Sequence, residues 1–333
     1  MSKLVFFFFL VSLLRLSAAT GSPNPTANNT WHGLMRFLDA TKGSQVEGMS
    51  ELKGYLSRFG YLPQNTTFTD IFDDNLEIAL LSYQKNMGLP VTGKLDQSTM
   101  TAIISPRCGF NDIDFRRFSY FDGMPRWSKR SPMTLTYAFS PWHTIGYVSK
   151  SDLKVVFRRA FSRWSDTIPV GFKETNDFFH ADIKIGWYSG DHGDGVPFDS
   201  QLGVLAHAFA PENGMLHLDA AERWSVDLAK EWSELAVDLE TVAIHEIGHT
   251  LGMGHTSDEH AVMYPIINPR MRRVELGLDD VKGVQALYGA KSGYRYEPSS
   301  SAKRMGTRKG LMMKWSFAMV ILACASFSFL SYI

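Results

Sequence analysis

The stretch His245-Glu246-Ile247-Gly248-His249-Thr250-Leu251-Gly252-Met253-Gly254-His255 constrains this chain more than any other. It closes an amphipathic run, 235–251, in which Val242, Ile244, Ile247 and Leu251 recur at helical spacing, so His245 and His249 project from one face a turn apart. Two imidazoles placed this way can grip one metal ion. Gly252 removes the side chain where the helix must stop, and the chain can turn back to deliver His255 as a third nitrogen. Three protein ligands leave one position open, the pattern of a catalytic rather than a structural zinc. Glu246 is rotated about 100° around the helix from the first ligand, so it flanks the ion, where a general base for a bound water belongs. Two histidines four apart would be compatible with an ordinary surface helix; a third, with glutamate and glycine at these offsets, is a far more specific pattern.

Alone, Met263 would read as a core methionine. It stands in Val262-Met263-Tyr264-Pro265 beyond His255, and the whole constellation resembles the metzincins, which place a methionine turn beneath the zinc. Thr256 directly after the third histidine narrows the resemblance to the matrix metalloproteinases. That resemblance implies an α/β (α+β) catalytic domain with a twisted, mostly parallel five-stranded sheet and three helices, behind a small three-helix propeptide of peptidoglycan-binding type. Periodicity by itself gives only mixed α and β.

The 333 residues suggest about two domains, and 34 Lys plus Arg against 34 Asp plus Glu argue against nucleic acid as a partner. There are 2 cysteines, Cys108 and Cys324, the second in an apolar tail, so no disulfide framework is expected. Leu4 to Leu14 after Lys3, then Ser17-Ala18-Ala19, reads as a signal peptide over 1–20; an uncleaved anchor is the competing reading, but the apolar core is short for a span. Asn28 and Asn65 head glycosylation sequons, consistent with secretion.

The propeptide is expected over 21–117. Met49, Leu52, Leu56 and Phe59 form one helical stripe, and Leu76, Ala79, Leu80 and Tyr83 a second. Thr99, Ala102 and Ile103 begin a third after a cap at Asp96 or Ser98. Tyr83-Gln84 and Thr92-Gly93-Lys94-Leu95-Asp96 carry the peptidoglycan-binding resemblance; a working carbohydrate module is the alternative, against which stands the lack of a sugar-stacking array. In Pro106-Arg107-Cys108-Gly109-Phe110-Asn111-Asp112, the Cys108 thiolate could fill the open metal position and make the propeptide an inhibitor. The segment resembles the family's cysteine switch, in which Arg107 and Asp112 are expected to pair. Phe110-Asn111 stand where animal members usually carry Val-Pro. Cleavage near Arg116 to Ser119 would activate the chain, whereas cutting after Lys129-Arg130 would remove part of the catalytic fold.

The catalytic domain is expected over 118–289. Strands are read at 133–139, 170–173, 181–187, 203–209 and 215–218. Ser151 is expected to cap a helix running to Trp164 that buries Val155, Val156, Ala160, Phe161 and Trp164, and a last helix from Asp279 or Asp280 to Tyr288 buries Val281, Val284 and Leu287. His192, Asp194, His207 and His217 can close a tetrahedron around structural zinc. Asp199, Val204, Asp219 and Glu222, the valine through its carbonyl, resemble the family's calcium site. The shortened loop 211–215 argues against a second calcium near Asp182. Substrate is expected to lie extended along the strand at 203–208, with Pro265-Ile266-Ile267 as a pocket wall.

Beyond Gly289 no haemopexin-like domain is read, only a polar linker and basic spacer, 290–310, and an apolar tail, 311–333. Small residues around Ser300, the spacer and the tail read as a GPI-attachment signal with Ser300 as attachment residue; a transmembrane helix is the rival. The reading is of a secreted, plasma-membrane-anchored zinc and calcium endopeptidase of plant type, made latent, cutting extracellular proteins. A non-catalytic, metal-stabilised surface binding protein is the alternative.

Overall fold

The computed structural model describes residues 32–112 and 123–297. The signal segment, Asn28, the Arg116-Arg117 region, Ser300 and the apolar tail lie outside the described residues.

The N-terminal unit opens with a 3₁₀ turn at His32–Phe37 and holds three helices, α1 (Met49–Arg58), α2 (Asp74–Asn86) and α3 (Gln97–Ile104). Side-chain caps start two of them: Asp73 accepts from the Leu76 amide and Asp96, rather than Ser98, from the Thr99 amide. The expected stripes form its core, joined by Phe37, Tyr55 and Met100. Gln84, fully buried, ties the second and third helices together by donating to Thr92, Lys94 and Thr99 while accepting from the Thr92 and Gly93 amides. A buried amide satisfied on every side specifies this arrangement.

The second unit is a twisted sheet covered by helices. Its strands are β2 (Met133–Phe139), β3 (Val170–Glu174), β4 (Ile183–Tyr188), β5 (Val204–Ala208) and β6 (Met215–Asp219), after β1 (Arg107–Cys108) from the propeptide. The sheet order is β1-β5-β6-β4-β2-β3, parallel throughout except for the antiparallel β5–β6 pair. The expected five-stranded sheet is therefore six-stranded, because the propeptide contributes an edge. A two-stranded ribbon, β7 (Trp224–Ser225) and β8 (Val237–Asp238), lies apart from it.

The helix α4 (Lys150–Ser165) is capped by Ser149, whose hydroxyl accepts from the Asp152 amide, so Ser151 falls inside the helix rather than at its cap. Its buried face is Leu153, Val156, Phe157, Ala160, Phe161 and Trp164, while Val155 is 41% exposed, a correction to the expected stripe. Leu153 and Phe157 keep the three- and four-residue spacing that faces the sheet; Val155 is rotated off it. The helix α5 (Leu239–Thr250) starts four residues later than its apolar pattern suggests, because Asp238 takes the cap and accepts from the Thr241 amide at 2.8 Å. Every residue of α5 is buried, which is why its stripe is indistinct: a helix enclosed on all sides needs no polar face. The last helix, α6 (Leu278–Tyr288), starts at Gly277, whose amide donates to Asp280.

Candidate metal centre

The site forms where α5 ends. Gly252 adopts φ +96°, open to glycine at little cost, and the Met253 amide returns to the Gly248 carbonyl. This reverses the chain and brings His255 opposite His245 and His249. Pro125 and Trp127 brace the turn from outside, the Trp127 indole donating to the Thr250 carbonyl at 2.7 Å. Below the rings, Met263 packs against Gly248, where a Cβ would fall 2.3 Å from the Met263 sulfur.

Cys108, His245, His249 and His255 are all buried, and each offers one ligand atom within 4.8 Å of the others. Cys108 Sγ stands 3.4 Å from His249 Nε2, and the His245 and His249 Nε2 atoms are 3.1 Å apart. The opposite ring nitrogens are committed. His245 Nδ1 donates to the Val262 carbonyl at 2.7 Å and His249 Nδ1 to the Met253 carbonyl at 2.8 Å. His255 Nδ1 donates to Asp112 Oδ1 at 2.8 Å. Carbonyls accept only, so these bonds place the protons on Nδ1 and leave Nε2 lone pairs converging on one point. Burial pushes all three imidazoles below their ordinary pKa, reinforced at His245 by its two neighbours and resisted at His255 by Asp112. Neutral imidazoles are what a metal requires. His255 Nε2 has no partner among the described residues, an orphan a cation would satisfy.

Glu246 is fully buried beside the cluster, both carboxylate oxygens without a hydrogen bond among the described residues. Burial raises its pKa to about 8, although the nearby Cys108 thiol pulls slightly the other way. Burial and the Glu246 charge likewise push the Cys108 thiol up. A cation at the histidines would reverse both trends, since it favours carboxylate and thiolate.

The segment carrying Cys108 fills a cleft between β5 and residues 265–267. The Arg107 amide donates to the Gly203 carbonyl at 3.0 Å and Gly109 to Ala206 at 2.7 Å. On the other wall, Cys108 donates to Pro265 and the Ile267 amide to Pro106, both at 3.0 Å. The cleft thus accepts an extended chain on both sides. Arg107 and Asp112 pair as expected at 2.5 Å, with the guanidinium 3.7 Å above the Phe59 ring and Tyr61 donating to the other Asp112 oxygen. Phe110, which stands where animal members usually carry valine, lies against His249 and His255, with ring centroids at 4.8 and 5.8 Å, and closes the site by packing.

A second cluster joins His192, Asp194, His207 and His217. His207 and His217 face each other directly across the β5–β6 pair, and Asp194 Oδ2 lies 2.7 to 2.9 Å from a nitrogen of all three rings. Burial lowers the His207 and His217 pKa values to about 4, against the pull of Asp194. Asp194 itself would be raised by burial, yet the Val196 amide and the imidazoles hold it well below the carboxylate range. Nearby, Asp199 accepts from the Val204 amide, Glu222 accepts from the Leu202 amide, and Asp219 is fully buried beside them. Ser200 and Leu202 have φ +89° and +63°, a strained loop that wraps these carboxylates. Asp182 accepts from the Thr136 amide and pairs with Lys129. Asn65 is exposed, at the rim of a cavity of about 520 Å³ between the two units.

Sequence reasoning missed three contributors. Asp280 accepts from the amides of Val262, Met263 and Gly277, and so fixes the methionine turn; the acidic pair at a helix start was its only sequence signal. Arg273 donates to the Tyr264 and Ile266 carbonyls and holds the cleft wall. The Asp112–His255 bond spans 143 positions and leaves no sequence signal.

Fold and site together define a zinc metalloendopeptidase. Residues 126–289 match the matrixin family model, and 45–103 match a peptidoglycan binding domain. The chain is 56% identical to metalloendoproteinase 1-MMP of Arabidopsis thaliana over 275 residues, 79% of this chain and 75% of the relative. It is 51% identical to metalloendoproteinase 4-MMP of the same plant over 263 residues, 76% of each. With human matrilysin it shares 37% over 261 residues, 75% of this chain and 91% of the relative. The chain belongs to the matrixins, as a plant-type matrix metalloproteinase with its propeptide domain.

Proposed function

We propose that the chain is a latent endopeptidase in which Cys108 closes the metal site and Glu246 is the general base. The observation that carries this is the convergence of the buried Cys108 sulfur with three Nε2 lone pairs, beside a carboxylate that has no other task. His245, His249 and His255 would hold a zinc ion, which would supply Lewis-acid chemistry, a lowered water pKa and a polarised peptide carbonyl. Glu246 takes the proton of that water and passes it to the leaving nitrogen. The backbone of β5 and of residues 265–267 holds the substrate extended, as it now holds residues 106–109. Cys108 bars the water, and cleavage near Arg116 to Ser119 frees the site.

His192, Asp194, His207 and His217 hold a second, structural zinc in this reading, and Asp199, Asp219, Glu222 and the Val204 carbonyl a calcium ion. The signal segment and sequons support secretion, and the tail supports a GPI anchor at Ser300 on the outer plasma membrane; its substrates are then extracellular proteins. Release of the full-length chain from cells by a phosphatidylinositol-specific phospholipase tests the anchor. In Glu246→Ala, zinc content and fold should persist while cleavage of a quenched peptide by the processed enzyme falls at least ~10²-fold. Undiminished cleavage would reject the assigned base.

A further inference from the structure

The three ring nitrogens that face away from the metal point have unequal partners. His245 and His249 donate to carbonyls of Val262 and Met253, which belong to the catalytic unit and stay with it. His255 donates to Asp112, which belongs to the propeptide. We propose that Asp112 is a positioning residue for the metal site of the latent chain, so the propeptide lends an orienting carboxylate to the third histidine as well as a sulfur to the fourth position. The proposal rests on the reading that these three histidines and Cys108 hold zinc.

Asp112 is built for this task. It is fully buried, Arg107 neutralises it at 2.5 Å, and Tyr61 fixes its second oxygen at 2.9 Å. A carboxylate behind a ligating imidazole fixes the tautomer and raises its basicity, and its loss typically costs 10–100-fold in metal affinity. Activation would therefore remove two supports at once, and the processed enzyme would hold its third ligand less firmly than the zymogen does.

Zinc transfer from the full-length protein to a chromophoric chelator reads this directly when Cys108→Ser is the reference, because the sulfur no longer contributes. Adding Asp112→Asn should weaken retention about 10–100-fold, while adding Tyr61→Phe, which loosens the carboxylate but leaves its bond to His255, should cost clearly less. Equal retention in all three proteins would overturn the proposal, as would equal losses in the two variants, which would make Asp112 only a loop support. Should Asp112→Asn misfold, histidine ¹⁵N spectra of the unmutated zinc-loaded chain before and after processing decide it. The His255 Nδ1 resonance, which alone loses a carboxylate partner, should shift clearly more than those of His245 and His249; a His255 shift no larger than theirs refutes the role. A thiolate-to-metal band in the cobalt-loaded chain, lost in Cys108→Ser, checks the underlying reading separately, and its absence would sink both.

Discussion

Asp219 and Glu222, close in space to Asp199, each keep one buried carboxylate oxygen without a hydrogen bond among the described residues. Burial, and then the charges of neighbouring carboxylates, raises Asp219 to about 7 and Glu222 to about 8. A raised acid holds a proton in the folded state that the unfolded chain has already released. Stability of the cation-free protein therefore falls as pH climbs from the ordinary carboxylate range through about 8. At the proposed calcium site the cation would take the place of those protons, so the rise in Tm on adding calcium should be larger near pH 8 than near about pH 5. Differential scanning calorimetry at the two pH values measures it, and a pH-independent increment would count against calcium there. At this scale His245, Glu246, His249, His255 and Cys108 were legible because each stands in a local motif. Asp112 and Asp280 were not, since their partners are remote in the chain and no periodicity records a contact between loops.

Helix α5 carries the site, and its surroundings decide its rigidity. Trp164 closes one side, its indole donating to the Ile244 carbonyl at 3.0 Å, and Met263 closes another against Gly248. Gly248→Ala would drive a methyl into the Met263 sulfur beneath the histidines, at a cost of about 1–3 kcal/mol. Chemical denaturation should show that loss, with zinc binding weakened along with it; unchanged stability would mean the methionine turn is loosely seated. The capping of α4 by Ser149 and the exposed Val155 show where pattern reading falls short. Neighbouring serines carry the same capping chemistry, and only the helix's rotation against the sheet selects the cap and the stripe.

Across the whole molecule the two units share a core: Phe198, Val204, Tyr264 and Ile266 of the catalytic unit pack into the propeptide cluster, and Tyr264 donates to the Met87 carbonyl. In the proposed latent form the block would have two layers, the Cys108 sulfur at the histidine cluster and a strand in the cleft. Cys108→Ser removes only the first. Its full-length form should cleave a peptide faster than the parent but more slowly than the processed enzyme, and equal latency in variant and parent would discount the switch. The motif from His245 to His255 was enough to point to a zinc metalloendopeptidase, and the Arg107-Cys108 segment to suggest an inhibitor, because ligand spacing on a helix and a glycine turn are local geometry. Tertiary structure alone decided that the inhibitor becomes the sixth strand, that its carboxylate reaches a ligating histidine, and that α5 has no exposed face. Those outcomes depend on surfaces meeting through space, and a linear pattern carries no term for the distance between residues far apart in the chain.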